Sequence, residues 1–371
     1  MQENEEAGYL EESLHLPCPS CGSGLSYSAE KKKISCDYCG YLEEVDNSSD
    51  KVVEQSLNQA VKKVKDFSPE ASGKKVFDCQ NCGAKFMVEQ DEVNVSCGFC
   101  GSTNVNLEAF KHQYIQPIGI IPFYISRQEA NVLFKKWVKK GVFHPNKLKT
   151  MASVELLHGV YIPFWTYDAH TESDWSGERG DYYYVSKQVR VNGKMETRQE
   201  RKIRWSRRSG HLRHFFDDVL VIASGGLEQK YVERILPFRL GEVVNFDPRL
   251  LVGWETEVYQ LEVDEGYQVA DQIMDHKIRN MCSAQLGGDT QRNLRVSSHK
   301  EGQTFKHIYL PIWICAYNYN NKTYRFSING QTGRVHGKKP LSWVKIAITV
   351  LFFILLIVGV WYLRESGVLK E

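Results

Sequence analysis

The sequence predicts an α+β fold with two small N-terminal metal ribbons, a mixed strand-rich α+β domain and one C-terminal transmembrane helix. Three observations carry this prediction. Eight of the ten cysteines form two repeats near the N-terminus, the segment 110–336 mixes strand and helix patterns, and the segment 346–363 holds eighteen residues without a charge. A chain of 371 residues is long enough for two or three domains.

These patterns also predict where each part begins and ends. We assign an acidic tail to 1–16, the first ribbon to 17–46, a linker with a short helix to 47–75, the second ribbon to 76–107, the α+β domain to 108–340, the transmembrane helix to 341–363 and a short tail to 364–371. The net charge of +2 is too small to indicate a polyanionic partner for the chain as a whole, so charge arguments must be local.

The eight N-terminal cysteines form two copies of one pattern. In each copy fourteen residues separate two C-x-x-C-G pairs, and each cysteine of the second copy follows its counterpart by 61 positions. Four thiolates in two such knuckles meet the needs of a tetrahedral zinc site, and the glycine after each pair can adopt a positive φ. The predicted ligands are Cys18, Cys21, Cys36, Cys39, Cys79, Cys82, Cys97 and Cys100.

The predicted cofactors are therefore two zinc ions. Because cysteines fill all four positions around each ion, no position is left for water or substrate, and the metal is expected to be structural. Redox-active C-x-x-C pairs and rubredoxin-like iron are the alternatives. Residues 1–12 are acidic and lack the apolar segment of a signal peptide, so reduced, metal-bound cysteines in the cytosol are expected rather than disulfides.

The linker and the finger tips carry local patterns. Apolar residues recur at helical spacing through the linker, which predicts a short amphipathic helix there. They are Val53, Leu57, Ala60, Val64 and Phe67. The first finger tip, at 31–33, is basic, whereas the second, at 89–92, is acidic. This difference argues against two equivalent nucleic-acid fingers.

Local motifs predict the elements of the α+β domain. Ser126 and Glu129 form a capping box ahead of a helix that ends at Gly141. A long hairpin is expected over 182–206 with its turn at 192–193, and two helices are expected over 227–236 and 265–286, the second capped by Asp264 with Val269, Ile273, Met274 and Met281 facing inward.

A short internal echo suggests duplication within this domain. The motif Y-x-P-x-W occurs at 161–165 and again at 309–313, 148 residues later. Both copies begin strand-rich stretches, which suggests two related β subunits packed together. Proline lacks an N–H donor, so the prolines of the motif are expected at strand starts or edges.

The predicted hairpin is strongly basic. Its candidate polyanion-binding residues are Lys187, Arg190, Arg198, Arg201, Lys202, Arg204, Arg207 and Arg208. With Trp205 available for stacking, the strip could follow nucleic-acid phosphates. Anionic lipid headgroups offer a second polyanion, and a solvated edge hairpin whose charges prevent aggregation is the third interpretation.

Catalytic patterns are weak or absent. Asp168, His170, Glu172 and Asp174 alternate, so a strand would place all four on one face, either as a divalent-ion or acid–base site or as the wet face of a half-buried strand. Neither a phosphate-binding loop nor a dinucleotide-binding fingerprint occurs, and we predict no nucleotide and no enzymatic activity.

The C-terminal apolar segment predicts a membrane span. Extended back to Leu341 it could form a helix of about 34 Å, enough to cross a hydrocarbon core of about 30 Å. Basic residues precede it at 334, 338, 339 and 345, so the positive-inside rule places the N-terminal bulk in the cytoplasm. We expect a tail-anchored, single-pass protein of the cell membrane. The alternative is a buried core helix.

Several motifs together resemble a known group of proteins. They are the paired knuckles, G-V-Y-I-P-F-W-T-Y-D-A at 159–169, S-G-E-R-G-D-Y-Y-Y at 176–184, F-F-D-D-V at 215–219, F-K-H-I-Y-L-P-I-W at 305–313 and I-N-G-Q-T-G at 328–333. The chain resembles prokaryotic membrane proteins with TFIIB-type zinc ribbons, often labelled as similar to the primosomal replication-restart helicase. The resemblance implies zinc binding and this architecture. The motor motifs of a helicase are missing, so unwinding activity is not implied.

These observations predict a membrane-anchored, cytoplasm-facing binding or scaffold protein. The ribbons would recruit a protein partner, and the basic hairpin would contact anionic lipid. A nucleic-acid-binding protein of replication or transcription, without helicase activity, is the alternative.

Overall fold

The computed structural model describes residues 17–45, 52–57, 66–67, 74–89, 95–107, 114–145, 157–191, 194–227, 229–319 and 322–365. It shows a mixed, strand-rich α+β architecture with one long apolar helix at the C-terminus. The strands are β1 (Ser26–Ser28), β2 (Lys33–Ser35), β3 (Leu42–Glu44), β4 (Gln55–Ser56), β5 (Asp66–Phe67), β6 (Lys74–Cys79), β7 (Lys85–Glu89), β8 (Val105–Leu107), β9 (Tyr114–Ile115), β10 (Gly119–Ile120), β11 (Leu157–Val191), β12 (Lys194–Ile222), β13 (Val244–Asn245), β14 (Glu255–Glu257), β15 (Thr290–Tyr319), β16 (Lys322–Asn329) and β17 (Val335–Gly337). The helices are α1 (Arg127–Lys139), α2 (Gln229–Ile235), α3 (Val263–Leu286) and α4 (Trp343–Glu365), with 3₁₀ turns at Leu240–Glu242 and Pro248–Leu251.

One large sheet organises the chain. Its main strand order is β13-β10-β15-β11-β14-β7-β6-β8, while β12 pairs with β11, β16 with β15, β17 with β16 and β4 with β15. The strands β1, β2 and β3 form a separate sheet in the first ribbon, and β5 pairs with β9. Since β6, β7 and β8 belong to the second ribbon, the large sheet includes part of that ribbon.

Three very long strands give the sheet its shape. The strands β11, β12 and β15 contain 35, 29 and 30 residues, and β11 lies between the other two over much of its length. The pairing of β11 with β15 ends at Gly180, whereas its pairing with β12 continues to Val191. The predicted hairpin is confirmed and is longer than expected. Its turn at 192–193 lies outside the described residues.

The two Y-x-P-x-W segments are direct antiparallel neighbours, with Ile162 opposite Leu310. Their prolines lie inside long strands, so the prediction of strand starts or edges was wrong. The outer neighbour of each strand changes at its proline. Strand β11 pairs with β14 before Pro163 and with β12 after it, and β15 pairs with β10 before Pro311 and with β16 after it. A missing N–H donor is tolerated at such a junction because no regular ladder partner stands opposite it.

The helices follow the sequence patterns with one correction, at the N-cap of α3. The capping box of Ser126 and Glu129 precedes α1 as predicted. The N-cap of α3 is Glu262, whereas Asp264 lies in the first turn, where an acid still favours the helix dipole. All four residues predicted to face inward contact the core: Met274 is buried, and Val269, Ile273 and Met281 are partly buried. The fully buried residues of α3 are Val263, Gly266, Ala270, Met274, Ile278, Cys282 and Leu286.

The linker differs in part from its predicted amphipathic helix. Val53 is 80% exposed, and Gln55–Ser56 forms a short strand against β15 instead of a helical turn. At the other end of the predicted helix, Asp66–Phe67 also forms a strand, paired with β9, while 58–65 lies outside the described residues.

Candidate functional site

The structure brings the eight predicted ligands together in two groups of four. In the first, the Sγ atoms of Cys18 and Cys39 are 3.5 Å apart and those of Cys21 and Cys36 are 3.6 Å apart. The second group shows 3.6 Å both for Cys79–Cys100 and for Cys82–Cys97. All ligand atoms of a group lie within 4.8 Å of one another. Four sulfurs about 2.3 Å from one zinc ion would be about 3.8 Å apart, so both groups fit such an ion.

The four knuckles share one backbone geometry. The glycine after each pair has a φ between 71° and 76°, as the C-x-x-C-G spacing predicts. Its N–H donates to the carbonyl of the first cysteine of the pair, over 2.8 Å at Gly22, 3.0 Å at Gly40, 2.8 Å at Gly83 and 2.7 Å at Gly101. This tight turn points both sulfurs of a pair to the same side.

Backbone donors also favour the thiolate form. Hydrogen bonds from the backbone of Cys39 and Tyr38 lower the pKa of Cys36 to about 6. In the second group, the hydrogen bond with Cys97 is the main cause that lowers the pKa of Cys82 to about 5, and the same bond raises the pKa of Cys97, so one thiol of this pair is favoured as the thiolate. Thiolates are the form that binds a metal. Both groups could thus hold a metal ion such as zinc.

The first ribbon packs against the α+β domain. The hydroxyl of Tyr27 donates to the carbonyl of Phe123 over 3.1 Å, and Nε1 of Trp254 donates to the carbonyl of Tyr27 over 3.3 Å. Two lysines of its basic tip have partners, since Nζ of Lys32 lies 5.3 Å from the centre of the Tyr124 ring and Lys33 pairs with Glu44 at 2.8 Å. Lys31 and Lys32 are nevertheless exposed to solvent.

The second ribbon is continuous with the large sheet. Strand β7 pairs with β14, with Met87 opposite Thr256. Cys79 and Cys97 are fully buried. The second ribbon and the α+β domain therefore share one sheet across the boundary predicted at 107. The β7–β14 pairing joins residues far apart in the chain, which local patterns do not reveal.

Equivalent knuckle positions differ between the two ribbons. Phe99, in the second, is 1% exposed and lies against Gly226, where a Cβ would come within 2.8 Å of the ring. Tyr38 stands 61 positions earlier, between the ligands Cys36 and Cys39, and is 84% exposed. The second ribbon thus uses its knuckle aromatic for internal packing, whereas the first presents it to solvent.

A buried carboxyl that no sequence motif marks lies beside the second ribbon. Oε1 of Glu257 accepts hydrogen bonds from the backbone N–H groups of Gly225 at 3.1 Å and Gly226 at 3.0 Å, while Oε2 has no hydrogen-bond partner among the described residues. Burial raises the pKa of this carboxyl from 4.5 to about 8. Strand alternation does not predict that the adjacent residues Thr256 and Glu257 of β14 are both buried, so the sequence pattern did not indicate this carboxyl.

Glu257→Gln is expected to stabilise the protein increasingly as pH rises. The raised folded-state pKa means that the stabilisation from this carboxyl is complete below pH 4.5 and is lost as pH rises through about 8. At about pH 7.5 the loss is about 4 kcal/mol, which a glutamine avoids while it keeps the acceptor oxygen. Thermal unfolding in detergent between about pH 5 and pH 8 measures this, with the exposed Glu301→Gln as control. A pH-independent difference between Glu257→Gln and the parent would contradict the assignment.

The basic residues of the hairpin do not form one strip. Strand alternation places Arg190, Arg201 and Arg207 on one face and Lys187, Arg198, Lys202, Arg204 and Arg208 on the other. Several are paired: Lys187 with Glu200 at 4.0 Å, Arg198 with Glu196 at 3.7 Å, and Arg207 with Glu178 at 3.8 Å. Arg292 covers the ring of Trp205 at 4.1 Å, so that indole is not free for stacking.

Residues 181–191 and 194–204 form a two-stranded projection, here called the arm. It carries seven lysines and arginines against three acids. At about 3.3 Å per residue it extends about 35 Å beyond the pairing with β15. Tyr183 and Tyr184 are 45% and 62% exposed on opposite faces, and they provide the accessible aromatic surface of the arm.

The arm and α4 lie at opposite ends of β11. Leu157, at the start of β11, is opposite Cys315, which is in turn opposite Phe326. The centre of the Phe326 ring lies 4.5 Å from that of the Trp137 ring. Lys339, just ahead of α4, lies over the same Trp137 ring. From Leu157 to Val191 the strand runs on the order of 100 Å. This geometry disfavours contact of the arm with a bilayer that α4 enters.

The predicted acidic face is only partly formed. His170, Glu172 and Asp174 are exposed on one face, where Glu172 pairs with Arg213 at 2.8 Å and Asp174 with His211 at 2.9 Å. Asp168 is 1% exposed because a bulge between Tyr167 and Ala169 shifts the register.

Asp168 instead joins a cluster of carboxylates in which it is the buried member and Glu54 and Asp217 are exposed. Its carboxylate oxygens lie within 4.8 Å of those of Glu54 and Asp217. Oδ1 of Asp168 accepts from the backbone N–H of Asp218 at 2.6 Å, and Nζ of Lys306 lies 3.9 Å from Oδ2. Burial is the main cause that raises the pKa of Asp168 to about 6. The Lys306 ammonium thus compensates Asp168 together with Glu54, at 3.3 Å, and Asp218, at 2.7 Å.

Helix α4 is long and apolar enough to cross a membrane. Its span Trp343–Tyr362 has a mean hydropathy of 2.7, and none of it is buried. Among the described residues, nothing packs over this span as over a core helix.

Comparison with known proteins finds a likeness to a bacterial protein over most of both chains. The chain is 28% identical over 341 residues to "Uncharacterized protein YdjG" of Bacillus subtilis (strain 168), which covers 90% of this chain and 92% of that protein. No family model matches the chain, and no solved structure matches it. The resemblance to zinc-ribbon membrane proteins stays a prediction.

Proposed function

We propose that this protein is a membrane-anchored, cytoplasm-facing zinc-ribbon protein that acts as a scaffold and binds a protein partner through its first ribbon. The observation that carries the proposal is the contrast between Tyr38 and Phe99. The second ribbon buries its knuckle aromatic in the domain, whereas the first leaves Tyr38 84% exposed. Exposed tyrosine is a favourable anchor for a protein interface because it offers a large, rigid apolar area and a hydroxyl group.

The closed metal centres support a binding role over a catalytic one. Four cysteines surround each candidate ion, and the metal would hold the knuckles in place without contacting a substrate. Helix α4 would keep this surface near a bilayer, and the basic residues ahead of it support a cytoplasmic orientation.

Crosslinking from membranes tests the proposed partner surface. We expect Tyr38→Ala to lose a specific crosslinked protein while metal content and thermal stability stay unchanged, because Tyr38 makes little internal contact. Tyr184→Ala, on the arm, is the matched control and should retain the protein. Equal recovery with Tyr38→Ala and the parent would contradict the proposal.

Nucleic-acid binding by the arm is the second candidate. Its support is the excess of seven basic over three acidic residues together with the exposed Tyr183 and Tyr184. We expect any such binding to weaken steeply with salt and to fall at least tenfold when Arg198, Lys202 and Arg204, which share one face, become alanine. Fluorescence anisotropy with single-stranded oligonucleotides measures this. No binding by the parent at low salt would exclude the candidate.

A further inference from the structure

The loop that follows α1 is hydrogen-bonded to the start of α4. The backbone N–H of Ser342 donates to the carbonyl of Phe143 over 2.7 Å, and Nδ1 of His144 lies 2.9 Å from the carbonyl oxygen of Pro340. Nζ of Lys345 donates to the carbonyl of His144 over 2.8 Å. The loop 141–145 therefore keeps a fixed position beside the first turn of α4.

This loop exposes apolar side chains next to those of the helix. Val142 and Phe143 are 76% and 41% exposed, and Trp343 is 76% exposed at the start of the span. A tryptophan at the end of a span belongs to the headgroup level of a bilayer. Because the loop is bonded to the same turn, Val142 and Phe143 lie close to that level.

The adjacent surface of α1 is basic. Lys135, Lys136, Lys139 and Lys140 are all exposed, and no acid occurs between Glu129 and Pro145. Clustered lysines beside a membrane span attract anionic headgroups. The apolar loop and the lysines together have the composition of an interfacial membrane-binding element.

We propose that the loop 141–145 inserts Val142 and Phe143 into the headgroup region of the bilayer that α4 enters, with the lysines of α1 against anionic lipids. The proposal rests on the membrane anchoring proposed above. It assigns the lipid contact to α1 and its loop instead of to the arm, which lies at the other end of β11. Two attachments, the span and the loop, would limit rotation of the domain and fix how far the first ribbon stands from the membrane.

Photocrosslinking of the full chain in vesicles tests this. The photoreactive amino acid p-benzoylphenylalanine replaces Phe143, Tyr184 or Phe352 in separate variants, placed in the loop, the arm and the centre of α4. Each variant is reconstituted into phosphatidylcholine vesicles with or without about 30% phosphatidylglycerol, and lipid adducts are detected by mass spectrometry. We expect adducts at 143 and 352 and none at 184.

The remaining outcomes separate the two proposals. Adducts at 352 without adducts at 143 would overturn the loop insertion and leave the anchor in place, while adducts at 184 in place of 143 would return the lipid contact to the arm. If position 352 gives no lipid adducts either, the membrane anchoring itself is wrong. Combining Lys135→Gln, Lys136→Gln and Lys140→Gln should lower the adduct yield at 143 several-fold in vesicles with phosphatidylglycerol and leave it unchanged in phosphatidylcholine alone. In vesicles with phosphatidylglycerol, an equal adduct yield at 143 with and without the three lysine substitutions would overturn the role of the lysines.

Discussion

Cys97→Ser is expected to abolish the stable fold of the α+β domain, and not only of the second ribbon. Cys97 is fully buried and belongs to the second cysteine group. Binding of structural zinc contributes about 10–16 kcal/mol to a ribbon of this kind, whereas a typical domain is stable by about 5–15 kcal/mol. Strand β7 connects this ribbon to β14 and hence to β11, so the loss extends into the large sheet.

Cys39→Ser is the informative comparison. Cys39 is exposed, and its ribbon contacts the domain through side-chain packing and a few hydrogen bonds instead of a shared large sheet. We expect this variant to lose one metal ion and local order while the domain stays folded. Cys282→Ser, in a buried cysteine outside both groups, controls for the substitution itself.

Metal content and unfolding temperature distinguish these variants. The expected zinc content is two ions per chain for the parent and Cys282→Ser, and one for Cys39→Ser. Cys97→Ser is expected to fail to yield a cooperative unfolding transition. A Cys97→Ser chain that unfolds at the parent temperature would show that the second metal centre does not support the sheet.

Placing three lysines in α4 is expected to move the protein from the membrane to the soluble fraction. The span contains thirteen Leu, Ile, Phe and Val residues from 346 to 363. At about −0.5 kcal/mol each they favour insertion by about 6 kcal/mol, whereas each central lysine costs about 3 kcal/mol. Leu351→Lys, Leu355→Lys and Val358→Lys together therefore reverse the balance.

Extraction of membranes with alkaline carbonate measures this change. The parent should stay with the membrane pellet, and the triple variant should appear in the supernatant with its unfolding temperature preserved, because none of these side chains is buried in the protein. Lys135→Gln with Lys136→Gln controls for surface attachment by charge alone and should leave the chain in the pellet. Release of the parent by carbonate would contradict a membrane span.

Short-range patterns in the sequence predicted short-range features of the structure. The C-x-x-C-G spacing predicted the four positive-φ knuckles, and the S-x-x-E motif predicted the cap of α1, because each depends on residues within one turn. The alternation and the Asn-Gly pair predicted the hairpin. The cysteine grouping followed from spacing alone.

Long-range features could not be read in the same way. The pairing of β7 with β14, the burial of Glu257 and the contact between 141–145 and α4 join residues that are distant in the chain. The bulge that buries Asp168 shifts alternation by one residue, and a sequence pattern does not mark it. The basic hairpin was predicted correctly as an element, but its distance from α4 depends on the strand order of the whole sheet.

Metal analysis of the intact chain purified from membranes tests the central claim most directly. The protein would be extracted in detergent without added metal, and its zinc, iron and free thiols would be measured on one sample. We predict two zinc ions per chain, no iron, and no disulfides among the eight N-terminal cysteines. A chain found in the membrane with iron, with disulfide-bonded knuckles or without metal would contradict the account of two structural zinc centres held at a bilayer.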